Sequence, residues 1–184
     1  LKAYRIEAED TIEIVDKLDK LNNEFAVSAS GLGEGLERSA SSLYMTGNTL
    51  DQSLAMLTGA GEITQNLENT GNALKVVALR LQGMKGALED LNEPVDDLME
   101  VSKIQTQILN LTKNQVNIYD GASDKFRSTS DILKDISEIW DTLSSTDRAS
   151  LTEIMFGKLR ANQGLAIIQA FQSGQIEKAY EASI

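Results

Sequence analysis

The sequence contains no cysteine and no histidine. Without cysteine, the chain can form neither a disulfide framework nor a thiolate metal site, and cysteine usage gives no indication of its redox compartment. Without histidine, it lacks the commonest general base and the commonest metal ligand of proteins. Any active site would therefore have to use carboxylates, or serine with lysine.

Basic residues are also scarce. The 17 lysines and arginines are outnumbered by 28 aspartates and glutamates, which gives a formal net charge of −11. A nucleic-acid-binding module normally presents a clustered excess of cations, whereas an acidic surplus repels a polyanion. We therefore expect no direct binding to nucleic acid.

Long apolar runs are missing as well. No run approaches the roughly 18 residues that a membrane-spanning helix needs, and no basic and then apolar leader opens the sequence. We therefore expect no membrane span in this segment. Because the sequence starts at Leu1 without an initiator methionine and stops at Ile184 within a helical pattern, we expect a fragment of a longer chain. A single module over residues 1–184 is expected, with possible sub-lobes 1–92 and 93–184.

Apolar residues recur at helical spacing along most of the chain. The segments with this spacing are 9–24, 32–43, 50–63, 73–86, 95–111, 131–143, 151–159, 165–171 and 174–180. Residues 31–35, 69–71 and Pro94 are predicted to interrupt them, with Pro94 in the first turn of the helix that follows it. Short connections favour helices that pack against their sequence neighbours. We predict an all-α fold, a compact bundle of about eight helices.

Local capping signals support these boundaries. Gly47 and Asn48 suit a left-handed cap at the end of the second helix. Thr49 with Gln52 fits a capping box at the start of the third. Residues 144–146 are Ser, Ser and Thr, which can cap the helix after residue 143.

Three cations lie within the apolar stretch ALKVVALRLQGMKG, residues 73–86. One helical face carries Leu74, Val77, Ala78, Leu81 and Met84, and a second carries Val76, Leu79 and Gly83. Lys75, Arg80 and Lys85 are separated by steps of five residues, so they scatter around the helix and form no cationic face for lipid or phosphate. We predict a central helix that is packed on both flanks, with its cations extended towards solvent along their alkyl stems.

The helical pattern changes near residue 116. Val116 and Ile118 alternate with polar residues, Asp120-Gly121 is a turn signal, and the chain can return as a second strand through Phe126. One small β-hairpin is predicted near residues 116–128.

Glycines interrupt two of the predicted helices. Gly31, Gly35, Gly59 and Gly61 would each weaken a helix by about 0.5–1 kcal/mol relative to alanine. Close contact between backbones is the expected reason for their presence.

No short motif meets the pattern of a known catalytic or metal site. The glycines at 31–35 follow no strand and lack both the dinucleotide spacing and the Gly-Lys-Ser/Thr ending. Residues 120–124 have the wrong order for a calcium loop, and Ser130 precedes Lys134 by four residues where the Ser-x-x-Lys pattern requires three. The glycosylation sequon at 110–112 lies in a predicted helix. We predict no catalytic, cofactor-binding or metal-binding residues and no cofactor.

Acidic residues gather at two places in the sequence. They are Asp131, Asp135, Glu138 and Asp141 on one predicted helix, and Glu89, Asp90, Glu93, Asp96, Asp97 and Glu100 around Pro94. The first set lies opposite an apolar face and is interpreted as solvated surface. The second lies near a predicted helix start, where the positive end of the helix dipole favours it. Trp140 and Phe171 lie on apolar faces and are interpreted as core anchors.

The succession of several blocks resembles a known family. The blocks are NNEFAVSASGLGEGLERSASSL (22–43), GNTLDQSLAMLTGAGEITQN (47–66), TGNALKVVALRLQGMKG (70–86) and FRSTSDILKDISEIWDTLSSTDRASLTEIMFGKLRANQGLAIIQAF (126–171). Together they resemble the core region of phage tail tape measure proteins over roughly residues 9–184. The most specific pieces are ALKVVALRLQG, STSDILKDISEIWDTL and FGKLRANQ.

This resemblance implies a structural component of the tail of a long-tailed phage or prophage. Such a protein sets tail length, scaffolds assembly of the tail tube and is released during DNA ejection. The implied partners are tail-tube subunits, tail assembly chaperones and tail-tip proteins, and a homo-oligomer is compatible with the pattern. The implied location is the tube lumen of the virion tail, with the host cytoplasm during assembly. No catalytic residue is carried over, so no enzyme is expected.

Two other functions remain open from the residues alone. A generic helical interaction or effector module would have the same amphipathic pattern. A glycan hydrolase would need two carboxylates that face each other in one cleft.

Overall fold

Ten α-helices and one hairpin occur in the computed structural model, which describes residues 2–95, 98 and 100–184. The helices are α1 (Thr11–Glu24), α2 (Ala29–Met45), α3 (Leu50–Thr64), α4 (Leu67–Leu81), α5 (Lys85–Asp90), α6 (Val101–Leu111), α7 (Thr129–Ile139), α8 (Ser145–Phe156), α9 (Ala161–Gln172) and α10 (Gln175–Ser183). Single 3₁₀ turns occupy Lys2–Tyr4, Ala8–Asp10 and Trp140–Thr142. The predicted compact all-α fold is confirmed, with ten α-helices in the described residues where about eight were expected.

The hairpin consists of strands β1 (Tyr119–Asp120) and β2 (Lys125–Phe126), which pair antiparallel. Tyr119 lies opposite Phe126, and their rings meet edge to face with centroids 5.6 Å apart. The predicted hairpin is confirmed, although its strands are shorter than the segment 116–128. Val116 and Ile118, which precede the first strand in the sequence, are buried.

Helix α3 lies at the centre of the bundle. It packs against α2, α4, α7, α9 and α10, and its residues from Ser53 to Gly61 are all buried. Helix α4 packs most extensively on α2, and it also contacts α8 and α9. Helix α10 returns from the end of the chain to pack on both α3 and α1.

Helix α4 is apolar on two sides, as predicted. Leu74, Val77 and Leu81 face the main core, whereas Val76 and Leu79 pack in a second cluster with Leu88 of α5. Burial on both sides restricts the polar surface of this helix to a narrow strip that contains Glu68, Asn72 and Lys75.

The segment 73–86 nevertheless forms two helices, where one was predicted. Helix α4 ends at Leu81, and Gly83 has a φ of +63°. The N–H of Gly83 donates to the Arg80 carbonyl and that of Met84 to the Leu79 carbonyl, each at 3.0 Å. This left-handed cap reverses the chain, so that α5 folds back onto the second face of α4.

Two predicted breaks lie inside helices. Residues 31–35 belong to α2 because Ser28 caps this helix, its Oγ accepting the N–H of Gly31 at 3.0 Å. Residues 69–71 belong to α4 because Asn66 Oδ1 accepts the N–H of Asn69 at 3.0 Å. The chain reverses before each capping residue, and the glycines lie beyond it.

Close backbone contact accounts for Gly35 and Gly59, as expected, whereas Gly31 and Gly61 face the side chain of Leu67. A Cβ at Gly71 of α4 would lie 2.5 Å from the Gly35 carbonyl oxygen of α2. A Cβ at Gly59 would lie 2.9 Å from the backbone nitrogen of Ile176, and one at Gly61 would lie 2.3 Å from Leu67 Cδ2. Gly71 and Gly59 allow α4 and α10 to approach their neighbours at backbone distance.

Pro94 does not begin a helix, contrary to the prediction. Val95 and Leu98 are not helical and pack against the second cluster, and α6 begins only at Val101. Of the predicted stripe 95–111, residues 101–111 are therefore the part that forms α6. Asp96 and Asp97 of the predicted acidic group lie outside the described residues.

Four residues that were predicted to face the core are exposed. They are Ile63 at 37%, Leu159 at 63%, Leu165 at 45% and Tyr180 at 39% relative exposure. Leu159 lies in the turn between α8 and α9, where helical periodicity does not apply. The predicted caps are confirmed at Gly47, at the Thr49 and Gln52 capping box, and at Ser144.

Candidate functional site

Arg80 is buried in the interior, at 2% exposure. Its Nε donates to the carbonyl of Ile154 at 3.0 Å, its Nη2 to that of Glu153 at 3.2 Å and its Nη1 to that of Pro94 at 3.2 Å. The first two carbonyls belong to the last turn of α8, at the negative end of its dipole, which attracts cations, and that of Glu153 also accepts the N–H of Gly157 at 2.9 Å. The prediction that Arg80 extends to solvent is wrong, because α8 supplies carbonyl acceptors beside it.

The other two cations of residues 73–86, Lys75 and Lys85, are less buried than Arg80. Lys85 is exposed, as predicted. Lys75 is partly buried and donates to Asn72 Oδ1 at 3.3 Å. Burial is the main cause that lowers the pKa of Lys75, and Arg38 and Arg160 lower it further against the opposing effect of Glu93.

An ion pair between Arg160 and Glu93 holds the chain next to Arg80. Arg160 Nη2 lies 2.7 Å from Oε1 of Glu93, and the Glu93 side chain is only 8% exposed. Because Glu93 precedes Pro94, Arg80 and Arg160 together fix the segment after α5 to the bundle. Of the predicted acidic group around Pro94, Glu93 therefore has a specific partner, whereas Glu89, Asp90 and Glu100 are exposed.

The acidic face of α7 is solvated, as predicted. Asp131, Glu138 and Asp141 are exposed, and Asp135 pairs with Arg127 at 2.7 Å. Across the parts of the chain that the structure describes, there is no group of three or more acidic side chains that could hold a metal ion.

The turn of the hairpin is closed by its own side chains. Asp120 accepts hydrogen bonds from the Ser123 hydroxyl at 2.6 Å and the Ala122 N–H at 3.0 Å. These two bonds, the hydroxyl first, lower the pKa of Asp120. Tyr119 donates its hydroxyl to Asp124, which raises the pKa of Tyr119. The acidic groups of residues 120–124 thus stabilise a turn.

Most of the other residues that the sequence analysis singled out are buried or partly buried. Ser130 is buried, whereas Lys134 is exposed on the same helix. Thr112 of the sequon is buried, and its hydroxyl donates to the Ile108 carbonyl at 2.7 Å. Trp140 is buried as predicted, at 6% exposure, while Phe171 is only partly buried.

A groove between α7 and α10 was not predicted. It encloses about 360 Å³ and has an apolar floor that includes Phe171 and Ile176. Asp131, Glu138 and Glu177 line the groove as well, together with Lys134. The sequence placed Phe171 in the core, and the periodicity of α7 and α10 gave no signal of an opening between them.

A shallower depression of about 680 Å³ is lined by residues of α1, α3 and α10. Glu24, Glu62 and Glu181 line it together with Lys20 and Lys178. Its carboxylates are interspersed with ammonium groups, so this depression differs from the isolated pair of carboxylates that glycan hydrolysis requires.

Comparison with known protein families identifies the family to which this helical protein belongs. The family model described as phage-related minor tail protein matches residues 1–157. The chain belongs to the phage-related minor tail proteins. This membership assigns the tail protein a structural role in the virion tail, with protein partners there, and points to a role other than catalysis. No solved structure matches it.

Within residues 2–95, 98 and 100–184 of this tail protein, no helix is long and apolar enough to cross a membrane.

Proposed function

We propose that the chain is the core region of a tail tape measure protein, which sets tail length, scaffolds assembly of the tail tube and leaves the tail during DNA ejection. The resemblance of four sequence blocks in the same order supports this proposal. Membership in the minor tail protein family over residues 1–157 is consistent with it. The proposed partners are tail-tube subunits, tail assembly chaperones and tail-tip proteins, and the proposed location is the tube lumen. No catalytic activity and no cofactor are proposed.

The compact fold is the observation that determines how this region would act. As one uninterrupted helix, 184 residues would extend about 280 Å, whereas a globule of this length has a radius of gyration of about 16 Å. The longest helix here, α2, has 17 residues and spans about 26 Å. An efficient ruler requires the extended form. We therefore propose that residues 1–184 are a folded module within the ruler, used to initiate the tube or to contact its end.

Contacts between distant parts of the chain support a single module. Helix α3 packs on α9 and α10, and α4 packs on α8. Near the two ends of the sequence, Lys17 Nζ donates to the Ser183 carbonyl at 2.5 Å. These contacts join residues before and after position 92, and extension of the chain would break them.

In-frame deletions in the phage or prophage genome test this proposal. Removal of residues 11–184, which contain all ten described α-helices, should prevent or impair tail assembly. Removal of the same number of residues from a helical segment elsewhere in the same gene should shorten the tail in proportion to the deletion. Tail length and tail number are measured by electron microscopy of the particles.

The tail lengths after the two deletions distinguish the possible roles of this segment. Proportional shortening by both deletions would show that this segment is an extended part of the ruler. Tails of unchanged length after both deletions would contradict a tape measure function and favour a different role in the tail. Proportional shortening by the control deletion alone would support a folded module.

A further inference from the structure

An apolar side chain projects from the turn between α8 and α9. Leu159 is 63% exposed and lies between exposed Lys158 and the partly buried Arg160. Leu165 of α9 is also 45% exposed, and it shares a surface with Lys158 and Arg148. An exposed leucine beside the ammonium group of Lys158 complements a surface that is both apolar and acidic. We call Lys158, Leu159 and Leu165 the knob.

The groove between α7 and α10 has the complementary chemistry. Its floor includes Phe171 and Ile176, and Tyr180 lies along it with 39% exposure. Three carboxylates line it, those of Asp131, Glu138 and Glu177, against one ammonium group, that of Lys134. Its volume of about 360 Å³ is that of a small binding pocket. The knob surface instead has Lys158 and Arg148 against Glu153.

The knob cannot reach the groove of its own chain. Leu159 precedes α9, whereas Phe171 lies in the last turn of that helix. Helix α9 has 12 residues and therefore separates the two features by about 18 Å. The turn that carries Leu159 is anchored at its own end, because Arg160 pairs with Glu93. The two surfaces can therefore meet only between separate molecules.

We propose that the knob of one copy of this chain docks into the groove of a second copy. Leu159 contacts the apolar floor, and Lys158 faces the carboxylates of Glu138 and Glu177. Because the two surfaces differ, the contact is head to tail and leaves a free knob at one end and a free groove at the other. Repetition of such a contact produces a ring or a filament. This inference does not depend on the proposed function in tail length.

Two variants of the 184-residue chain each remove one surface. Leu159→Ser removes the apolar tip of the knob, and the double variant Glu138→Lys with Glu177→Lys reverses the charge of the groove. All three residues are exposed, so both variants should retain their helical circular dichroism. Sedimentation velocity over a concentration series should show association of the unmodified chain, weakened about tenfold or more in either variant alone.

Mixing is the decisive measurement. Leu159→Ser retains the groove and the double variant retains the knob, so a one-to-one mixture should form a heterodimer and no larger species. Lys158→Glu should bind the charge-reversed groove more tightly than Lys158 does. Ile12→Ser is the matched control, because Ile12 is a 72% exposed aliphatic residue on α1, and it should not change association.

Other results would overturn the inference. They are an unmodified chain that stays monomeric at all concentrations, Leu159→Ser variants that associate like the unmodified chain, and a mixture that forms no heterodimer. Loss of association in Ile12→Ser alone would place the contact on α1 and contradict it as well.

Discussion

Arg80 Nε donates to the carbonyl oxygen of Ile154 at 3.0 Å, although the two residues are 74 positions apart in the sequence. The bond joins the last turn of α4 to the last turn of α8. Gly157, with a φ of +72°, ends α8 and lies beside the guanidinium, since a Cβ there would be 3.4 Å from Arg80 Nη1. A side chain that was expected at the surface thus connects two helices and the segment at Pro94.

Substitution of this arginine should destabilise the fold strongly. Arg80→Met keeps the unbranched apolar part of the side chain but removes the guanidinium, which leaves the carbonyls of Ile154 and Pro94 without this donor, whereas that of Glu153 keeps the N–H of Gly157. An unsatisfied buried acceptor costs about 1–3 kcal/mol, so a loss of about 2–4 kcal/mol in the free energy of unfolding is expected. Urea denaturation followed by circular dichroism measures it. Lys85→Met, at an exposed cation nearby, should change stability by less than about 0.5 kcal/mol.

The crossing of α2 and α4 should tolerate no side chain at Gly71. The Cβ of Gly71→Ala would lie 2.5 Å from a backbone oxygen of α2, so the helices would have to separate, at about 1–3 kcal/mol. Gly33→Ala is the matched control on α2, because nothing lies within 4 Å of its Cβ. This control should stabilise the protein by about 0.5–1 kcal/mol through helix propensity. Thermal melting of both variants would detect the opposite signs, and equal signs would contradict backbone contact at this crossing.

Local signals predicted the parts of the fold that depend on local chemistry. The capping box of Thr49 and Gln52, the cap at Ser144 and the apolar face of α7 each depend on residues within one or two turns. They agree with the structure for that reason. The two-sided packing of α4 also followed from its own residues, since both strips are apolar.

Features that depend on tertiary contacts could not be predicted from local sequence patterns. The glycines of α2 were expected to break the helix, but their contact with α4 depends on residues more than 30 positions away. The destination of Arg80 depends on carbonyls of α8, and the groove depends on how far α7 lies from α10. Exposed Leu159 was placed in the core because helical spacing was extended through a turn. Such relationships can be predicted only when the three-dimensional arrangement of the helices is known.

Two ion pairs of similar geometry should differ in their contribution to stability. Arg160 and Glu93 are 2.7 Å apart, with side chains 22% and 8% exposed, whereas Arg38 and Glu68 are 2.8 Å apart and about half exposed. Arg160→Gln leaves a nearly buried carboxylate without its cation and should cost about 1–3 kcal/mol. Arg38→Gln should cost less than about 0.5 kcal/mol, because solvent screens that pair. Urea denaturation of these variants, of Glu93→Gln and Glu68→Gln, and of the double variant of each pair yields the two coupling energies, and equal energies would contradict this difference in burial.

Stability should fall at high pH because of Tyr4. Burial raises the pKa of its hydroxyl to about 12, against the opposing effect of its hydrogen bond to Ser53. The unfolded state, with an ordinary tyrosine pKa of about 10, loses its proton first. The contribution of Tyr4 is therefore complete below about pH 10 and is lost as the pH rises towards 12.

The phenylalanine variant isolates this effect from other groups that titrate at high pH. Tyr4→Phe keeps the ring, which meets that of Tyr44 edge to face at 5.4 Å, and removes the titrating hydroxyl. Its free energy of unfolding should fall less steeply between about pH 10 and 12 than that of the unmodified chain. Denaturant melts at several pH values give both slopes, and ultraviolet absorbance follows the ionisation itself. Parallel slopes would show that Tyr4 titrates with the same pKa in the folded and unfolded states, because linkage allows a difference in slope only when the two pKa values differ.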